Sequence, residues 1–149
     1  MEQTERRHVE KLLWEWGSAL KDCERRRMEI RRLMEQAEDA ENVLHAQVLT
    51  GMPAGGEVSD PTANAVHMRD HALRRVDQLT AEINGIMARK DKMDAIIGLL
   101  PEEQQRLVHM RYVRGMEVSV RIPMQLHADR KTVYRWHQQA LEIVANYAP

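Results

Sequence analysis

The chain has 149 residues, enough for one ordinary domain or two small ones. Apolar side chains make up 43% of it, which excludes disorder by composition, and a net charge of −1 excludes a polycation that clings to nucleic acid along its whole length. With no Phe, ten Met and 30% charged residues, packing falls to Met, Leu, Ile and Val on heavily charged helices.

The single cysteine, Cys23, cannot form an intrachain disulfide, which favours a reducing compartment. Residues 2–11 are mostly charged, unlike a secretory leader. The longest apolar run, near Ala95–Leu100, is too short to span a bilayer. The expectation is a soluble, cytoplasmic protein with no membrane partner.

From Val9 onward apolar residues recur in steps of four and three. One set is Val9, Trp16, Cys23, Ile30, Ala37 and Leu44; the other is Leu13, Leu20, Arg27, Met34, Glu41 and Val48. This predicts a coiled-coil helix of about 45 residues, roughly 68 Å long. Arg27 and Glu41 break the pattern. The stretch TGMPAGGEVSDPTA ends the helix and predicts a loop near residues 50–60, with Ser59 or Asp60 as the next N-cap and Pro61 in the first turn. A second stripe follows through Ala65, Met68, Ala72, Val76, Leu79, Ile83, Ile86, Met93, Ile97 and Leu100. Two long stripes joined by a short loop predict an antiparallel hairpin over residues 1–99. Facing positions should sum to about 110, which sets Glu41 near Arg69 and Arg27 near Glu82. The same seam could instead pair with another copy, so a homo-oligomer stays open. The RRR at 25–27 and RR at 31–32 lie among Glu24, Glu29 and Glu35, the composition of a salt-bridged, solvated face.

Residues 101–149 hold seven basic and five acidic side chains, and they form the only positive third of the chain. Pro101 opens a helix with Glu102 and Glu103 in its first turn, and Gly115 closes it. The segment EVSVRIPMQL follows, then a tight corner, HAD, with Asp129 placed to cap a last helix running from Arg130 to about Asn146. Helix, glycine turn, short helix, three-residue corner and longer helix make a helix-turn-helix domain over residues 100–149 of an all-α chain. On the last helix Val133, Trp136, Ala140 and Val144 point inward. Arg130, Lys131, Thr132, Tyr134, Arg135 and Gln138 then form a polar face near the helix start. Arg and Gln suit guanine and adenine edges in the major groove, and Tyr and Thr hydroxyls suit phosphate.

The stretch LLPEEQQRLVHMRYVRG, then Ile122 and Leu126, Asp129-Arg130 at the corner and TVYRWHQQAL resemble the DNA-binding region 4 of bacterial sigma factors. With SDPTA at 59–63 opening a helix ahead of such a tail, the chain is similar to small phage transcriptional regulators of the ArpU and RinA kind. The resemblance implies sequence-specific binding of double-stranded DNA at late phage genes, with RNA polymerase as a further partner. Two residues depart from the sigma pattern. Pro123 stands where a small helix former is usual, so the short helix should start near Val120 or kink. Asp129 replaces the usual Ser, which still caps the helix. Two rivals remain open: a phage small terminase subunit that recognises packaging sites as a ring, and an interaction module that binds polymerase without touching DNA.

Nothing in the chain forms a nucleophile triad, a phosphate-cradling glycine loop or a carboxylate pair, so neither enzyme activity nor a cofactor is expected. His67 and His71 sit four apart but read as a solvated helix face. His109, His127 and His137 read as exposed or phosphate-facing, and Cys23 as a small apolar group on the seam.

Overall fold

A computed structural model describes residues 1–49 and 60–149, without the side chains of residues 47–49 and 60. The loop expected near residues 50–60, with its cap at Ser59 or Asp60, lies outside the described residues. Among the described residues the fold is all-α and holds no strand. Helix α1 runs Gln3–Leu49 and α2 runs Asp60–Ile97. Three shorter helices follow: α3 (Glu102–Val108), α4 (Arg121–Leu126) and α5 (Arg130–Tyr147). A single π-helical turn, His109–Val113, continues α3. Gly115 ends that stretch with φ at +67°, a conformation glycine adopts without strain.

The chain divides into two compact units, residues 23–85 and residues 1–22 with 86–149. In the first, the buried side chains are Cys23, Ala37, Ala40, Ala65, Ala72 and Leu79. Four of these are alanine, which lets two helix backbones lie close together. Ion pairs at Arg26–Glu82 (2.9 Å), Arg75–Glu29 (3.4 Å) and Arg69–Glu41 (4.0 Å) link α1 to α2 with opposing residues running in opposite directions. Glu41 thus meets Arg69 as the sequence register predicts, but Arg26 takes the place expected of Arg27.

That one-residue shift has a geometric cause. On a helix, the residues three and four beyond a seam position flank it on opposite sides. Alternating steps of three and four do not say which flank the partner covers. In this unit it covers the i+3 flank: Arg26, Leu33 and Ala40 turn inward or half inward, while Arg27, Met34 and Glu41 are exposed. Arg27 and Glu41 are therefore ordinary surface residues and not flaws in a core. The same choice recurs near the start of α1, where Ala19 is buried and Leu20 is 59% exposed.

In the other unit, Val9 and Leu13 of α1 and Met93 and Ile97 of α2 share one core with Leu100, Val108, Tyr112, Ala140, Leu141 and Val144. A smaller cluster of Leu107, Met116, Ile122 and Val133 ties α3, α4 and α5 together, with Leu126, Ala128 and Trp136 at its edge. Trp16 donates its indole N–H to Asp94 at 2.8 Å, and Lys90 donates to the same carboxylate at 2.8 Å. Partial burial pushes the Asp94 carboxyl upward, but the hydrogen bonds from Lys90 and Trp16 outweigh it and hold the group below its usual range.

Gly17 is the point of closest approach. A Cβ built there would overlap the carbonyl oxygen and carbon of Tyr112, because the π turn presses its main chain onto α1. Neither backbone can retreat without moving a helix. Gly17→Ala should therefore destabilise the protein by about 3 kcal/mol, an overpacking cost. A shift of the urea midpoint at unchanged m-value would measure it.

Candidate nucleic-acid interface

Local chemistry explains why α4 and α5 form a corner. The α4 helix starts at Arg121 after Val120, as expected, and Pro123 is its third residue. A first-turn residue has no intrahelical acceptor for its N–H, so the proline costs no hydrogen bond there. His127 closes α4 in the left-handed conformation, φ 51° and ψ 39°, with its N–H bonded to the Pro123 carbonyl. Two residues later the Asp129 carboxylate accepts the Thr132 N–H at 2.7 Å and starts α5. Hydrogen bonding from Thr132, with smaller help from Arg135 and Lys131, holds that carboxyl below its usual range.

The inward face of α5 consists of Val133, His137, Ala140, Leu141 and Val144. Trp136 is only partly buried, at the edge of the smaller cluster. His137 corrects the sequence reading, which placed it on the surface. It is 6% exposed, and its Nε2 shares a 2.8 Å hydrogen bond with the Tyr112 hydroxyl. Its position decides this: His137 lies four residues after Val133 and four before Leu141, in the middle of the buried stripe. Burial, reinforced by the positive charges of Arg6 and Arg111, pushes its pKa down to about 4. Burial and the nearby Glu10 raise that of Tyr112. Both groups are neutral at pH 7.

The outward face carries the expected polar residues in two states. Arg130, Lys131, Tyr134 and Arg135 are exposed. Among the described residues none of the three cations forms an ion pair. Thr132 is half-buried, and its N–H belongs to the cap. Gln138 is half-buried and engaged, its amide oxygen accepting Arg6 Nη1 at 3.2 Å and its amide nitrogen donating to Glu142 Oε1 at 3.2 Å. Two further cations were missed in the sequence. Arg114, just before Gly115, and Arg121, opening α4, are exposed and likewise form no ion pair among the described residues. The available signal was a cation at each end of the turn that precedes α4. Arg111 differs: its guanidinium lies 5.0 Å over the Trp14 ring, and it donates to the Met116 carbonyl.

His67 and His71 are exposed on α2, and among the described residues no three His, Cys, Asp or Glu side chains gather where they could hold a metal ion. No described helix is long and apolar enough to cross a membrane. No known protein family, curated protein or solved structure matches this chain.

Two outcomes follow from the histidines. An imidazole whose pKa falls on folding makes its full contribution above the unfolded value near 6.5, and loses it as pH drops toward 4. Between pH 7 and pH 5 the protein should lose about 2 kcal/mol more stability than His137→Gln, measured by urea unfolding at both pH values. At the corner, a left-handed residue with a Cβ carries about 1 kcal/mol of strain. After glycine's extra chain entropy is subtracted, His127→Gly should stabilise the fold by about 0.5 kcal/mol, read as a rise in Tm.

Proposed function

We propose that this chain is a sequence-specific regulator of transcription that binds double-stranded DNA, with the N-terminal half of α5, residues 130–138, entering the major groove. The observation that carries this reading is the exposed face of Arg130, Lys131, Tyr134 and Arg135, whose cations form no ion pair within 4 Å among the described residues, Asp129 being the acid nearest to them in sequence. Elsewhere in the chain many cations meet acids, as at Lys11–Glu15, Arg26–Glu82, Arg75–Glu29, Lys90–Asp94 and Arg106–Glu102.

In the proposed complex, Arg130 and Arg135 reach guanine O6 and N7, a contact worth roughly 1–3 kcal/mol of base discrimination. Lys131, Arg114 and Arg121 neutralise phosphates on either side, and the Tyr134 and Thr132 hydroxyls add neutral phosphate contacts. Asp129 caps Thr132 as an exposed, ionised carboxylate, and Lys131 and Arg135 beside it counter its repulsion of phosphate. The wider setting rests on the resemblance to sigma region 4 and to the ArpU and RinA regulators: late phage genes, the cytoplasm of a bacterial host, and RNA polymerase as a partner. Self-association would use the long helices.

The test uses the full chain and a duplex enriched from a random library. Replacing Arg130, Lys131 and Arg135 together by Ala should weaken binding at least a hundredfold at 100 mM salt. The slope of log affinity against log salt should fall by about 1, the share of the Lys131 phosphate contact, with the helical circular dichroism unchanged. Equal affinity for the variant would refute the interface. Capture of RNA polymerase with no salt-dependent DNA binding would favour the interaction module instead.

A further inference from the structure

We infer that Arg6, in the first turns of α1, is a positioning residue that sets Gln138 to read adenine in duplex DNA, an inference that rests on the DNA-binding reading of α5. Gln138 lies one turn beyond Tyr134 and two beyond Arg130, on the same face of the helix. A free glutamine there would be a poor reader, because its amide can turn over and exchange oxygen for nitrogen.

The structure removes that freedom. Arg6 Nη1 donates to Gln138 Oε1 at 3.2 Å, while Gln138 Nε2 donates to Glu142 Oε1 at 3.2 Å. Reversing the amide would set an NH2 against a guanidinium and a carbonyl against a carboxylate, so one orientation wins. The guanidinium is itself steadied by Glu10, whose Oε1 lies 3.7 Å from Arg6 Nε.

An amide has two acceptor lone pairs and two N–H donors. Arg6 takes one lone pair and Glu142 takes one N–H, which leaves one of each. Adenine presents the complement in the major groove, an N6–H donor beside the N7 acceptor. Guanine presents two acceptors, O6 and N7, and would leave the Gln138 oxygen facing one of them. The fixed amide therefore favours adenine and works against guanine. No reading of residues 100–149 alone would find this, because the residue that orients the reader lies some 130 positions earlier.

The experiment selects duplexes from a library with a randomised 20-base-pair core, using the full chain and its Arg6→Ala, Arg6→Lys, Gln138→Ala and Arg6→Ala/Gln138→Ala variants. Folding of each is checked by circular dichroism. The wild type should favour adenine about tenfold at one position. Gln138→Ala should flatten that position and leave the others intact. Arg6→Ala should flatten the same position, Arg6→Lys should keep the preference through its remaining donor, and the double variant should be no flatter than either single one. The inference is overturned if Arg6→Ala keeps the adenine preference that Gln138→Ala loses, or if the two losses add. Either result leaves DNA binding itself standing. If the wild type enriches no sequence, the DNA-binding reading fails first and takes the inference with it.

Discussion

Tyr112 makes three contacts on which the tail of this protein depends. Its main chain rests on α1 at Gly17, where no side chain fits. Its ring meets the edge of Trp14 with centroids 4.9 Å apart, and its hydroxyl bonds to His137 at 2.8 Å in the middle of α5. A residue in a π turn, between two helices of the tail, thus fastens α5 to the first turns of the chain. The π turn is what makes this reach possible, since one widened turn re-aims the residues that follow it. Buried polar pairs of this kind fix one arrangement when every partner is satisfied.

The consequence for α5 is a division of labour along its length. Val133, His137, Ala140, Leu141 and Val144 hold it down. Its first two turns stay open because they precede the part beside α1. Farther on, Arg6 bonds Gln138, and His8 Nε2 lies 3.2 Å from the Pro149 carbonyl. The open end is also the end where Asp129 caps the helix. An exposed carboxylate and the cations Arg130, Lys131 and Arg135 therefore share one region.

The all-α class, the extents of the two long helices and the cap at Asp129 were legible because each rests on local chemistry: helical period, a glycine- and proline-rich break, and an acceptor three residues before its N–H. The inward flank of α1 was not, because Leu20 and Ala19 fit a helical period equally well and only the partner's position separates them. His137 was misread for a related reason: its polarity pointed outward while its place in the stripe pointed inward. The burial of a polar group depends on a partner, and Tyr112 lies 25 residues away. The cations of α5 could be read from sequence; the engagement of Gln138 by Arg6 could not, because nothing local links the two.

The alanine-lined contact between residues 23–49 and 60–85 carries a further consequence. A methyl group removes little hydrocarbon from water, and Ala37, Ala40, Ala65 and Ala72 supply most of what is fully covered there. The unit around Tyr112 instead encloses leucine, isoleucine, valine and a tyrosine ring. The side chains of α1 therefore meet mostly alanine in one unit and larger hydrocarbon in the other. Fewer large apolar side chains hold residues 23–49 to residues 60–85, so opening that unit exposes less hydrocarbon than opening the unit around Tyr112.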